Sequence, residues 1–146
     1  MAIQDDLTYK IIGCAIEVHN TLGNGFQEVI YQRCLAIELQ KANISFQREL
    51  EQALFYKEIS VGTRRVDFVI EEKIILELKA VIQLEDVHLA QAKNYLTAYN
   101  FDIGLLINFG SKSLEYKRIF RTEKRAALKS YNPVQLTNPD HPDADN

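Results

Sequence analysis

Asp67 and Glu77 stand ten residues apart, and Lys79 follows Glu77 by two. The stretches around them alternate in polarity and read as two strands joined by a tight turn at Glu71-Glu72. In an antiparallel hairpin the numbers of directly opposed residues share a constant sum. A three-residue loop, Glu71-Glu72-Lys73, makes that sum 144 and sets Asp67 opposite Glu77 on one face. A two-residue loop makes it 143 and puts Asp67 opposite Leu76, on the wrong face. The site therefore requires the odd loop. Lys79 shares the face of Glu77, because side chains two apart on a strand point the same way.

Two opposed carboxylates repel, and burial sharpens the repulsion. They persist together if a cation bridges them or if one is protonated. An all-oxygen ligand set selects a hard cation, magnesium or manganese. A neighbouring lysine can then act on a water and stabilise charge building on a phosphate. The combination is a phosphodiester-hydrolysis device. Its bland rival is a surface pair on a half-exposed sheet, since Glu-Leu-Lys arises by chance in many strands. The expected apolar face, formed by Val66, Phe68, Ile70, Ile74, Leu76 and Leu78, leaves the polar face toward solvent or a cleft.

The elements that position these groups follow from periodicity. Leu7, Ile11, Cys14, Ala15, Val18 and Leu22 recur at helical spacing over about 5–21, and Gly23-Asn24-Gly25 ends the run. A second helix is expected over about 27–42, with Tyr31, Leu35 and Leu39 along one stripe. Strands follow at 46–56, 57–61, 64–70 and 73–79. A third helix spans about 85–99 and opens on acidic Glu85-Asp86. The apolar run 104–109 reads as a strand covered on both faces, and 116–120 as a last strand. The order ααββββαββ implies an α/β fold, a mixed sheet flanked by helices.

Bulk properties set the frame. The 146 residues suit one domain, expected over 1–131, with the proline-bearing tail 132–146 irregular or disordered. No apolar run reaches the ~18 residues of a membrane span, and the N-terminus lacks signal-peptide character, so a cytoplasmic location and no membrane partner are expected. Cys14 and Cys34 read as buried reduced thiols and not as zinc ligands. The net charge of −3 comes from 17 basic and 20 acidic residues. Ser111 to Tyr131 nonetheless carries a local +5, which can steer a polyanion.

The sequence also resembles the GxxExxY proteins, a bacterial family of the PD-(D/E)XK nuclease superfamily. The naming pattern is Gly25-Phe26-Gln27-Glu28-Val29-Ile30-Tyr31, preceded by Ile16 to Gly23. The Asp67 strand, Ile75 to Ala80, Gln91 to Leu96 and Gly104 to Gly110 match in order. The resemblance covers about Leu7 to Phe120. Val66 stands where the superfamily name has proline, a position that varies. The resemblance implies a restriction-endonuclease-like αβββαβ core and a magnesium- or manganese-dependent nuclease acting on nucleic acid, DNA first. It implies Glu28, Asp67 and Glu77 as catalytic metal ligands, Lys79 as the catalytic lysine, Gln91 as a further catalytic position on the helix beside the site, and Tyr95 as lining it. Gln91 and Tyr95 share a helical face at i and i+4, and Glu28 and Tyr31 are neighbours at i and i+3. Tyr31 is either site-lining or a packing residue.

His19 is expected to cap or pack at its helix end, and His88 to meet solvent. Gly23-Asn24-Gly25 lacks the Lys-Ser/Thr of a P-loop and reads as a helix–helix turn. A second function stays open, a nucleic-acid- or protein-binding module that keeps the motif without turnover. So does a homodimer formed through an exposed sheet edge.

Overall fold

The computed structural model describes residues 2–121, with side chains from residue 6 onward. The expected tail 132–146, and the basic stretch from residue 122 on, lie outside the described residues. Three helices, α1 (Ala2–Leu22), α2 (Glu28–Lys41) and α3 (Asp86–Tyr99), accompany five strands. These are β1 (Phe46–Tyr56), β2 (Ile59–Ile70), β3 (Ile74–Lys79), β4 (Ile103–Asn108) and β5 (Glu115–Phe120).

The strands form one sheet in the order β1-β2-β3-β4-β5. Only β3 and β4 pair in parallel, and α3 is the crossover between them. The architecture is the expected mixed sheet flanked by helices. The expected strands 57–61 and 64–70 are one continuous strand instead. Lys57 and Glu58, both at positive φ (47° and 73°), make a tight hairpin turn, and the β1–β2 ladder then runs from Tyr56↔Ile59 to Phe46↔Ile70. One register shift between Leu54 and Phe55 absorbs the irregularity that the sequence presents as a break.

Each face of the sheet buries its own apolar set. Ile11, Ala15 and Val18 of α1 and Leu35 and Leu39 of α2 pack on Phe68, Ile70, Ile74, Leu76, Leu78, Leu105 and Ile107. Ala92, Leu96 and Tyr99 of α3 pack on the opposite face with Val66, Val69, Ile75, Leu106 and Ile119. The strict alternation of β3 thus distributes its side chains between two helical layers, and a fully buried aliphatic side chain contributes about 1.5–3 kcal/mol. Cys14 and Cys34 are free and half-buried at the edge of the first cluster, so the expected full burial is not reached.

Val66 departs from expectation. It joins the α3 side, whereas Phe68 and Ile70 face α1 and α2. The strand turns over at Asp67. Opposite it, Glu49 sits in the left-handed region (φ 52°), and the β1–β2 ladder lacks a pairing there.

Candidate active site

The β2–β3 ladder runs Ile70↔Ile74, Val69↔Ile75, Phe68↔Leu76, every pair summing to 144. Glu71 and Glu72 both take left-handed φ (52° and 57°), and Lys73 N–H closes the turn on the Ile70 carbonyl at 2.9 Å. This is the odd loop the site requires. Beyond Phe68↔Leu76 the strands part, and carboxylates replace the missing ladder bonds. The Asp67 N–H donates to Glu77 Oε1 at 2.9 Å, and the Leu78 N–H donates to Asp67 Oδ2 at 2.7 Å. Each acid accepts a backbone proton from the strand of the other.

Helix α2 closes the gap from the side. Glu28 is its first residue, where a negative charge suits the helix dipole. Gln32 lies one turn further, only 4% exposed. Its Nε2 donates to Asp67 Oδ1 at 2.9 Å, while its Oε1 is buried with no hydrogen-bond partner. Sequence reasoning missed Gln32. Its signal was a polar residue four after Glu28, directly beside the apolar stripe Tyr31, Leu35, Leu39.

The electrostatics follow from crowding. Glu77 is 8% exposed, and burial, reinforced by the Asp67 charge, pushes its carboxyl up to about 8. Burial also raises Asp67, against the pull of Leu78 N–H, Gln32 and the Lys79 ammonium. Glu28, on the solvent side, is raised by partial burial and by Asp67 and lowered by Lys79. All three acids thus lie in one another's field with Lys79 among them.

From α3, Tyr95 enters the same field. Its phenol is raised by burial and by Glu77, Asp67 and Glu28, and lowered by Arg64, whose guanidinium stands 5.9 Å from the ring centroid. Gln91 is exposed on the turn before Tyr95 and bonds to none of these groups. Tyr31 belongs to the scaffold. It is fully buried, stacks on Phe109 with centroids 4.7 Å apart, donates its hydroxyl proton to the Gly23 carbonyl and accepts the Phe26 N–H at 3.2 Å. His19 likewise ties α1 to the β4–β5 loop through the Ser111 carbonyl at 3.0 Å. His88 caps α3, its Nδ1 accepting the Glu85 N–H at 2.9 Å.

The segment after Lys79 is held by a polar cluster that sequence reasoning also missed. Asn108, fully buried and paired with Lys79 across the parallel ladder, accepts Val81 N–H at 2.9 Å and Gly110 N–H at 3.0 Å. Its Nδ2 donates to the Val81 carbonyl and to Glu115 Oε1, each at 2.9 Å. Gly110 has no room for a side chain, since a Cβ there would lie 2.4 Å from the Val81 carbonyl oxygen. The exit of β3 is thereby fixed in place, and Lys79 with it.

The donor set fits a hard divalent cation by charge and chemistry. Glu28, Asp67, Glu77 and Lys79 carry a formal −2 when all are ionised, every ligand atom is oxygen, and the Gln32 carbonyl oxygen beside them lacks a donor. As placed, no three His, Cys, Asp or Glu side chains among the described residues form a closed ligand group. Asp67 and Glu77 accept the N–H groups named above.

A family model described as the PD-(D/E)XK nuclease superfamily matches residues 5–119. No curated protein matches the chain. Among solved structures, the crystal structure of SSO0001 is similar, at 22% identity and a TM-score of 0.53 over 68% of this chain. The chain spans about half of that structure's length, 52%, and the likeness establishes the fold. No helix among the described residues is long and apolar enough to cross a membrane.

Proposed function

The chain belongs to the PD-(D/E)XK nuclease superfamily, and from that premise we propose that it is a magnesium- or manganese-dependent phosphodiesterase cutting nucleic acid, DNA first. Nucleases of this superfamily typically use divalent metals, and the choice of ion is part of the proposal. The observation that carries it is the reciprocal exchange between Asp67 and Glu77, which keeps two buried carboxylates together where their strands part.

In this reading Asp67 and Glu77 hold the ion and Glu28 supplies the third carboxylate. When bound, the ion adds positive charge at the phosphate and lowers the pKa of a nearby water. Gln32 keeps Asp67 from rotating. Lys79 offsets the charge that builds on the phosphate as water adds to phosphorus and the P–O ester bond breaks, the proton passing to the leaving oxygen. The GxxExxY pattern around Glu28 and the basic residues 112–121 point the same way, and a cytoplasmic location is the setting we assign.

Labelled DNA and RNA, incubated with the purified protein and magnesium or manganese, test this directly. Cleavage is expected with metal and not with EDTA, and Lys79→Ala should lower it about 10²–10³-fold. Equal cleavage by both proteins, or none on any substrate with either metal, overturns the reading.

That no three His, Cys, Asp or Glu side chains among the described residues are placed as a closed ligand group favours a second reading, a binding module without turnover. Such a module binds DNA equally well as Asp67→Asn and gives no calorimetric signal with magnesium.

A further inference from the structure

Two adjacent arginines on β2 have opposite circumstances. Arg65 reaches Glu49 at 3.9 Å and Glu51 at 3.8 Å, so its charge is answered within the β1–β2 hairpin. Arg64 forms no ion pair among the described residues and lies against the Tyr95 ring, exposed. Its backbone is not free to drift, because the buried Tyr99 hydroxyl shares its one proton between the Arg64 carbonyl at 2.7 Å and the Leu50 carbonyl at 2.9 Å.

The reversal of β2 at Asp67 is what sets Arg64 there. Had the strand alternated regularly from Phe68, positions 66 and 64 would face α1 and α2. Val66 instead packs with α3, and Arg64, two residues earlier, shares its side. Glu77 lies on that side too, two residues after Ile75, and within the field of Tyr95. An unpaired guanidinium therefore flanks the carboxylate cluster, three residues from Asp67, or roughly 10 Å along an extended strand. The guanidinium lies against Tyr95 and pairs with none of the acids, a placement that suits a phosphate beside the one under attack. A guanidinium presents a planar fork of donors matched to phosphate oxygens, and the cation–π contact with Tyr95 at 5.9 Å favours its position over the ring.

We propose that Arg64, seated on Tyr95, is a phosphate-binding subsite that takes a backbone phosphodiester of the nucleic acid beside the one being cut. The inference rests on the nuclease reading and deepens it. Arg64 sets the strand's position and leaves the chemistry to the acids and Lys79.

The test uses a fluorescently labelled 30-base DNA, single- and double-stranded, with magnesium present and the Lys79→Ala background preventing turnover. Arg64→Ala should weaken binding about 10-fold and reduce the slope of log K against log salt by about 1. Arg65→Ala should change neither. Arg64→Lys should recover the salt slope but only part of the affinity, since it keeps the charge and loses the planar fork of donors. With Lys79 restored, Arg64→Ala should raise KM about 10-fold and leave kcat within about 2-fold. Unchanged affinity and slope in Arg64→Ala, or losses equal to those of Arg65→Ala, overturn the subsite while cleavage by the parent leaves the nuclease reading standing. A parent that neither binds nor cuts DNA or RNA with either metal removes both.

Discussion

Gln32 and Asp67, 35 residues apart in sequence, meet at 2.9 Å, and the contact uses only half of the glutamine amide. The NH₂ group holds the aspartate, while the carbonyl oxygen is buried without a hydrogen-bond partner. Buried polar groups are nearly always satisfied in folded proteins. In the proposed reading, a water held by the bound cation would supply the donor that this oxygen lacks.

Gln32→Leu preserves bulk and removes both the donor and the orphan oxygen. Groups that hold a metal-binding carboxylate in place typically matter 10–100-fold in metal affinity or activity. Cleavage measured across a magnesium titration should therefore shift its midpoint upward about 10-fold or more. A titration curve superimposable on that of the parent refutes the positioning role.

Glu77 ties stability to pH in the metal-free protein. Its folded pKa, about 8, lies above the ordinary glutamate value of 4.5. The folded state thus prefers the protonated form, and this contribution is fully present below about pH 4.5 and lost as pH rises through about 8. Asp67 and Glu28, raised as well, act in the same direction. In EDTA the unfolding free energy should fall between pH 5 and pH 8 by an amount on the order of a few kcal/mol, and the melting temperature should fall with it. Glu77→Gln should flatten most of that slope, and saturating magnesium should do the same by displacing the proton. A melting temperature flat across this range in EDTA contradicts the assignment.

Gly110 is the steric counterpart. Gly110→Ala drives a methyl group into the Ala80–Val81 backbone, which directly follows Lys79. Overpacking of this kind costs about 1–3 kcal/mol, and the cleavage rate should fall as well because Lys79 moves with the loop. Gly13 meets nothing within 4 Å and lies inside α1, so Gly13→Ala should stabilise by about 0.5–1 kcal/mol. Denaturant midpoints for the two variants should move in opposite directions; shifts of the same sign refute the account.

Tyr31 separates scaffold from site. Tyr31→Phe keeps the stack on Phe109 and loses the hydroxyl contacts to Gly23 and Phe26. A loss of about 1–2 kcal/mol in unfolding free energy is expected, with cleavage by the folded protein within about 2-fold of the parent. A large drop in kcat at unchanged stability returns Tyr31 to the active site.

Much of this protein was legible in one dimension. The helices and most strands follow from local periodicity, and the register follows from arithmetic on one loop length, because side-chain direction in a hairpin depends on parity alone. Asp67, Glu77 and Lys79 could be grouped on that basis. Three relationships could not. The merging of 57–61 with 64–70 depended on the partner strand β1, which carries the ladder past a local irregularity. The turnover at Asp67, which moves Val66 and Arg64 to the α3 side, arises where paired strands separate and side chains take over backbone hydrogen bonds. Gln32 on Asp67, and Asn108 beneath the loop after Lys79, are contacts across 35 and 27 residues. Pattern along a chain reports which face a residue prefers; only packing of distant elements decides which buried donor and acceptor meet there.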